Sequence, residues 1–242
     1  PVYLRSVLAF SLVSIVVLAF GIGATTTTFS VVDGVLVRPL PFPSPDRLVA
    51  VWETNDQASL EYRFRTEASP ANYLDWCERS TSFENLAALS YSSLPLVTRD
   101  QPVRLEGAAV TPNFFRTLGV TPVAGRDFAP GDGVPNSAPV AIISTEVWRS
   151  AFDADPAVVG SQVNLGGRPV TIAGVLPPGF NLPFPRARGI DVWVPLQLDP
   201  AKADRQAHYL YVVGRLRDSV SLTSAQEEIA GIGRQLAAEH PD

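Results

Sequence analysis

Few side chains in this sequence could carry out chemistry. The chain has one cysteine (Cys77), two histidines (His208 and His240) and a single lysine, Lys202. One cysteine excludes an intrachain disulfide and a cysteine-based zinc site. Lys202 follows Ala201, so a phosphate-binding loop of the G-x-x-x-x-G-K type is absent, and the G-x-S-x-G and H-E-x-x-H motifs are missing too. We therefore predict no catalytic residue, no cofactor-binding residue and no metal ligand.

The spacing of the acidic residues indicates structural roles for them. Asp127 and Asp132 lie in one predicted loop and Asp153 and Asp155 in another, without the spacing of a calcium-binding loop. Such pairs are usually solvated turn residues or caps. The 242 residues carry a net charge of −5 at pH 7, with 46% hydrophobic and 18% charged residues. This composition predicts a folded protein with a sizeable core, and it argues against nucleic acid as a partner.

The first element of the chain is an apolar segment. No charged residue occurs between Arg5 and Asp33. About 18 to 20 helical residues cross the hydrocarbon layer of a bilayer, so 7–24 predicts a transmembrane helix. Arg5 before the span favours a cytoplasmic N-terminus, with the bulk of the chain outside. The predicted membrane-spanning residues are Val7, Leu8, Phe10, Leu12, Ile15, Val16, Leu18, Phe20 and Ile22, and the predicted helix-packing residues are Gly21, Gly23 and Ala24.

A cleaved signal peptide is the alternative interpretation of this segment. Two features argue against it: the apolar run is longer than a usual signal-peptide core, and the helical pattern continues through Val35 and Leu36. We predict that this continuation forms a stalk, and that Pro39 ends it. Pro39, Pro41 and Pro43 then predict a stiff, extended connector to the following domain.

Helices in the rest of the chain are marked by capping signals. Ser69-Pro70, Thr111-Pro112 and Ser144 each predict a helix start, and Gly119 predicts the end of the helix after Pro112. Thr223 and Gln226 predict a capping box for a helix over 224–239, with Ile229, Ile232 and Leu236 on its buried stripe. In the helix after Ser69, we expect Cys77 to be a small core residue that shares a face with Tyr73 and Trp76.

The strands alternate with these helices. Gly166-Gly167 predicts a two-residue hairpin between 162–165 and 168–175. Pro195 predicts that 191–196 is an edge strand, because proline cannot donate to a ladder. In 209–216, Leu210, Val212 and Leu216 are expected on one face. The other predicted strands are 48–53, 94–98, 103–110 and 140–143.

Four stretches, in their order and spacing, carry a family resemblance. They are 21–32 running into Arg38-Pro39-Leu40-Pro41-Phe42-Pro43; Tyr73-Leu74-Asp75-Trp76; Thr111-Pro112-Asn113-Phe114-Phe115; and Asp155-Pro156 with Pro177-Pro178-Gly179-Phe180. The pattern resembles the MacB-like periplasmic core domain of ABC transporter permeases, most closely the large orphan permeases first noted in acidobacteria. The resemblance implies that this chain is the N-terminal fragment of such a permease.

The resemblance implies an α+β fold. One transmembrane helix would lead into a periplasmic porter-like domain of β-α-β units, into which a β-rich, sabre-like subdomain is inserted. The predicted divisions are 1–37 (transmembrane helix and stalk), 38–125 (porter-like, first part), 126–204 (inserted subdomain) and 205–242 (porter-like, second part).

The resemblance also implies a function without catalysis. The chain would belong to a permease of the bacterial inner membrane, with its main domain in the periplasm, that exports substrates or transmits force. Its partners would be a cytoplasmic ATP-binding subunit that binds the ATP, a second permease copy or half, membrane lipid, and periplasmic or outer-membrane proteins. The alternatives are a membrane-anchored binding or sensor domain without an ATPase and, least favoured, an anchored periplasmic hydrolase.

Overall fold

The computed structural model describes residues 42–54, 66–97, 102–182 and 189–241. The predicted transmembrane helix, the stalk through Leu36, and connector residues Pro39 and Pro41 lie outside this part of the chain. Within it, no helix is both long enough and apolar enough to cross a membrane. The chain divides into two compact units, Pro1–Pro41 and Phe42–Asp242, and the described residues all belong to the second.

The described residues form a mixed α/β structure. Its strands are β1 (Leu48–Val51), β2 (Phe83–Val97), β3 (Pro102–Val110), β4 (Ala124–Gly125), β5 (Val140–Ile143), β6 (Gln162–Leu165), β7 (Arg168–Val175), β8 (Val192–Pro195) and β9 (Tyr211–Leu216). Its α-helices are α1 (Pro70–Arg79), α2 (Phe114–Leu118), α3 (Thr145–Phe152) and α4 (Leu222–Glu239). Short 3₁₀ turns follow Ser44, Ala129, Asp155 and Asp199.

All nine strands belong to one sheet with the order β1-β9-β2-β3-β8-β5-β7-β4, and β6 pairs with both β2 and β7. The β3–β8 and β5–β7 pairs are parallel and the others antiparallel. The long strand β2 pairs with β9 through its first part and with β6 through Leu96 and Val97. The pairings β2-β3-β8-β5-β7-β6-β2 therefore close into a ring, whereas β9 and β1 extend the sheet beyond it.

Two apolar cores lie along this sheet. In the first, α1 and α4 bury Tyr73, Trp76, Ile232 and Leu236 against residues of β1, β2 and β9. The second is filled from the strands of the ring and from α3, with Leu96, Leu105, Ala141, Ile143, Val147, Val158, Leu165, Val170, Ile172, Val175 and Val192. The long β2–β3 hairpin contributes residues to both ends of the molecule, so it joins the two cores. The predicted boundaries at 125/126 and 204/205 stay a prediction.

Several predicted helix caps and turns are confirmed. The Ser69 and Ser144 hydroxyls accept hydrogen bonds from the backbone N–H groups of residues three positions later, at 3.3 and 3.1 Å. Gly119 ends α2 in the left-handed conformation, with φ 74°. The Gly166-Gly167 turn also has positive φ at both positions and joins β6 to β7, as expected for a tight hairpin.

Three predictions about the helices are wrong. The helix predicted to start at Thr111-Pro112 begins at Phe114, after Asn113, whose side chain makes no cap hydrogen bond. The long C-terminal helix begins at Leu222, two residues before the predicted start, and its cap is Ser221, whose hydroxyl accepts from the Ser224 N–H at 3.1 Å. Ser221 has the extended backbone that an N-cap requires, so Thr223 and Gln226 form no capping box. Cys77 is exposed rather than buried, because the buried stripe of α1 runs through Pro70, Tyr73 and Trp76 and leaves it at the margin.

The edge position predicted for 191–196 is also wrong. β8 lies inside the sheet, parallel to β3 on one side and antiparallel to β5 on the other. Only Val192 and Trp193 pair with β5, so the chain is already past that strand at Pro195. The missing proline N–H therefore falls where no ladder bond is required.

In β9, the prediction that Leu210, Val212 and Leu216 share one buried face is confirmed. The opposite face of the strand is buried as well.

One carboxylate ties α4 to the chain that leads into β2. Glu228 accepts hydrogen bonds from the Thr81 N–H at 2.8 Å, the Thr81 hydroxyl at 2.7 Å and the Ser82 N–H at 2.9 Å. Burial opposes ionisation of this group, but the hydrogen bonds from Ser82 and Thr81 outweigh it and lower the pKa of Glu228 from 4.5 to about 2. The folded state therefore favours the carboxylate.

We predict that Glu228→Gln lowers the free energy of unfolding at neutral pH by about 1 kcal/mol. Because the folded-state pKa is below the unfolded one, this contribution is present above pH 4.5 and disappears as the pH falls through about 2. Denaturant unfolding of the chain in mild detergent at several pH values measures it. Glu227→Gln, an exposed neighbour on α4, is the control; an equal loss in both variants would contradict the prediction.

Candidate functional site

Among the described residues, no group of three or more His, Cys, Asp or Glu side chains could hold a metal ion. Cys77 is exposed, and His208 pairs with Glu53 at 3.0 Å. Long-range contacts also hold the start of the described chain, at Phe42 and the predicted connector residue Pro43. This entry point is the candidate functional site.

Phe42 is the first described residue, and it is inserted into an aromatic cluster. Its side chain is only 5% exposed, and its ring packs edge-on against Phe180, with centroids 6.2 Å apart. Phe180 in turn contacts Phe115 of α2 at 5.7 Å and Trp193 of β8 at 5.6 Å, both edge-on. Edge-to-face contacts of this kind add to the energy of apolar burial. The loop 177–182 is thus packed between the entering chain and the interior of the sheet.

Arg215 of β9 holds the next residue of the entering chain by its backbone. This side chain is almost fully buried, with the residue 7% exposed. Its Nε donates to the Thr117 carbonyl at 2.7 Å and its Nη1 to the Pro43 carbonyl at 3.1 Å. Nη2 has no hydrogen-bond partner in the described part of the protein. Burial and the nearby Arg47 lower the pKa of Arg215, although the charges of Glu84 and Asp46 oppose this, and an arginine remains a cation throughout the neutral range.

Arg47, four residues after Pro43, holds the entering chain at a second point. It is the last residue of a 3₁₀ turn that follows Ser44, a residue in the left-handed conformation with φ 46°. Its Nε and Nη2 donate to the Leu216 carbonyl at 2.8 and 2.6 Å, and its guanidinium pairs with Glu84 at 2.8 Å and Asp218 at 2.6 Å. The entering chain is therefore bonded to β9 at two points just before the Leu48–Arg215 pair that starts the β1–β9 ladder.

Gly119 makes room for this arrangement at the end of α2. A Cβ added there would lie 3.0 Å from Pro43 Cγ, and its positive φ already disfavours other residues. We call Phe42, Pro43, Arg47, Phe180 and Arg215 the connector anchor. It can fix the position of an entering chain by aromatic packing and by charge-assisted bonds to backbone carbonyls, and it contains no group placed for bond-breaking chemistry.

Only part of the connector anchor could be predicted from the sequence. Pro43 was predicted as a connector residue, and the structure places it in the anchor. The predicted stalk and connector residues Val35, Leu36, Pro39 and Pro41 lie outside the described residues. Arg215 was missed because alternation places it on the second face of β9, where an arginine would ordinarily be solvated. The only signal for Phe180 was its position after Pro177-Pro178-Gly179, a break in the strand pattern.

Solved structures with a similar fold come from bacterial transport proteins. The periplasmic region of MacB from Actinobacillus actinomycetemcomitans superimposes with a TM-score of 0.60 at 15% identity, covering 79% of this chain and 85% of that one. A permease-protein domain from Porphyromonas gingivalis gives 0.60 at 19% identity, covering 81% and 84%. The extracellular domain of the noncanonic ABC-type transporter YknZ from Gram-positive bacteria gives 0.57 at 16%, covering 80% and 95%. The described residues thus share the fold of these three domains.

Sequence comparison identifies the family. The chain belongs to the family of the MacB-like periplasmic core domain, whose profile matches residues 11–232. This confirms the resemblance to that domain of ABC transporter permeases. A curated relative, the macrolide export ATP-binding/permease protein MacB of Burkholderia thailandensis, is 27% identical over 137 residues, which are 57% of this chain. The matched region covers 21% of that relative, so the chain spans only a fraction of its length.

We predict that Arg215→Lys weakens the connector anchor. A lysine keeps the charge but cannot donate in the planar fork that reaches two carbonyls, and the Thr117 or Pro43 carbonyl would lose its partner. The free energy of unfolding should fall by about 1–3 kcal/mol, and amide exchange over 42–48 should accelerate. Calorimetry and hydrogen–deuterium exchange measure these effects. Arg217→Lys, on the exposed neighbour whose Nε donates to the Thr81 carbonyl at 2.9 Å, should change either quantity little; equal effects would refute the assignment.

Proposed function

We propose that this chain is the non-catalytic part of an ABC transporter permease that receives movement from the membrane and passes it to a periplasmic domain. Family membership supports a component of a transporter permease. The observation that carries the finer proposal is the connector anchor, where Phe42 and Pro43 are held by an aromatic cluster and by a buried arginine. A chain that only tethered a domain would need no such attachment.

Mechanical coupling requires that the attachment be stiffer than the linker that leads to it. Phe42 is buried in packed aromatic side chains, and packed interiors resist small displacements. Two charged side chains, Arg47 and Arg215, then hold the Leu216 and Pro43 carbonyls at the start of the β1–β9 ladder. A pull on residue 42 would therefore move β9, α2 and the loop 177–182 together, before the local bonds break.

The other parts of this proposal come from the family. ATP would be bound and hydrolysed by a separate cytoplasmic subunit, and the 7–24 segment would span the inner membrane. A second permease copy or half, membrane lipid, and periplasmic or outer-membrane proteins would be the further partners. The chain itself would perform no chemical step. A membrane-anchored sensor without an ATPase is the alternative, and copurification of the longer protein with an ATP-binding subunit distinguishes the two.

We predict that replacing Val35 and Leu36 with glycine uncouples the two activities. Glycine pairs add backbone freedom and weaken a helix, so the predicted stalk would bend instead of transmitting force. In the longer permease, reconstituted with its ATP-binding subunit, ATP turnover should continue while export falls about tenfold. Normal export at an unchanged turnover rate would contradict the lever mechanism.

We also predict that Phe42→Ala interrupts coupling at the connector anchor. In the wild type, trapping the nucleotide-bound state should change hydrogen–deuterium exchange over 42–54 and 177–182. Removing the ring leaves a cavity beside Phe180 and should reduce that change at least about threefold, without stopping ATP turnover. The control is Val123→Ala, at a position that is 55% exposed. A full nucleotide response in Phe42→Ala would show that force does not pass through this cluster.

A further inference from the structure

The guanidinium of Arg215 has a donor group that the connector anchor does not use. Its Nε donates to the Thr117 carbonyl at 2.7 Å and its Nη1 to the Pro43 carbonyl at 3.1 Å. Nη2 is buried and has no partner among the described residues, and Arg215 as a whole is only 7% exposed. A buried donor without an acceptor is costly, most of all on a charged group. Any acceptor within reach of this guanidinium is therefore significant.

Asn85 of β2 is an acceptor that the sheet places beside Arg215. The two residues are paired in the β2–β9 ladder, and side chains paired in this way share a face, with Cβ atoms about 5 Å apart. The register shifts between Phe83 and Asn85, so Glu84 and Asn85 together oppose Arg215, as at a β-bulge. Asn85 is half-buried, and its side chain forms no hydrogen bond within the described part of the chain. Its amide oxygen can therefore accept a new one.

The carboxylates near Arg215 are less suitable acceptors. The charges of Glu84 and Asp46 both act on its guanidinium. Glu84 is already paired with Arg47 at 2.8 Å, and Asp46 belongs to the entering chain, so it would move together with Pro43. If the entering chain is displaced, Asn85 is an uncommitted acceptor that keeps its place beside Arg215.

The two acceptors that Arg215 uses are held with different firmness. Thr117 lies in α2 and is fully buried, whereas Pro43 and the following Ser44 are exposed. A displacement of the entering chain would therefore break the bond to Pro43 and keep the bond to Thr117. Without a substitute acceptor, both terminal nitrogens of the guanidinium would then be unpaired in a buried position.

We propose that Arg215 and Asn85 form a two-position catch. Arg215 holds the Pro43 carbonyl while the entering chain is seated, and it bonds to the amide oxygen of Asn85 when that chain lifts. The buried cation is then hydrogen-bonded in both positions, so the connector anchor can release the entering chain while the rest of the domain stays folded. The use of this catch in transport rests on the proposed function, whereas the exchange of partners is a property of this chain alone.

Hydrogen–deuterium exchange of the complete 242-residue chain in detergent, without an ATP-binding subunit, tests the catch. Asn85→Leu removes an acceptor that only the lifted state uses, so lifting becomes less favourable. The amides of 42–48 should therefore become about fivefold more protected, as the loss of one net hydrogen bond from the lifted state implies. An asparagine that only stabilised the seated chain would have the opposite effect. Asn85→Gln keeps an amide oxygen and should retain the protection of the wild type.

Asn164→Leu is the matched control, because Asn164 is an exposed asparagine in β6, paired with Val97 and Pro169. It should leave the protection of 42–48 unchanged. If Asn85→Leu fails to fold, Asn85→Ala removes the same oxygen and should give the same rise.

Unchanged or lower protection of 42–48 in a folded Asn85→Leu or Asn85→Ala variant would overturn the catch. An equal rise in Asn85→Gln or in Asn164→Leu would also overturn it. Mechanical coupling is tested separately by the nucleotide response of Phe42→Ala, so the failure of one proposal is distinguishable from the failure of the other.

Discussion

The structure depends on a buried cation at the point where the chain enters the domain. A guanidinium removed from water must bond to fixed acceptors, because an uncompensated buried charge costs several kcal/mol. For Arg215 those acceptors are backbone carbonyls of Thr117 and Pro43, which no substitution of their own side chains can remove. The need to satisfy this charge therefore determines how α2, β9 and the entering chain lie relative to one another.

The sheet connects Arg215 to the rest of the domain. β9, which carries Arg215, lies between β1 and β2, and β2 continues past β9 into the ring of strands around the second core. Phe115 belongs to α2, two residues before Thr117, whose carbonyl Arg215 holds, and it contacts both Phe180 and Trp193. The polar and aromatic halves of the connector anchor thus share one short helix, so neither can shift without disturbing the other.

Features that depend on local geometry could be predicted from the sequence. The caps at Ser69 and Ser144 and the Gly166-Gly167 hairpin each require only a few neighbouring residues, and all three are present. Features that depend on distant partners could not. The position of β8 inside the sheet depends on where β3 and β5 lie, and a proline at its end was compatible with an edge or an interior strand. Arg215 is buried and bonds to the carbonyls of residues 43 and 117, which are distant from it in the sequence.

The position of Phe180 bears on how movement could spread. The ring contacts Phe42, from the predicted first part of the porter-like region, and Trp193, from the predicted insert, so the entering chain touches both sides of the predicted division. If the division marks two bodies that move separately, a displacement of Phe42 must either carry the loop 177–182 with it or open a gap beside an aromatic ring. A gap of that size costs several kcal/mol. Concerted movement therefore costs less, provided that the hairpin of β2 and β3 can flex between the two cores.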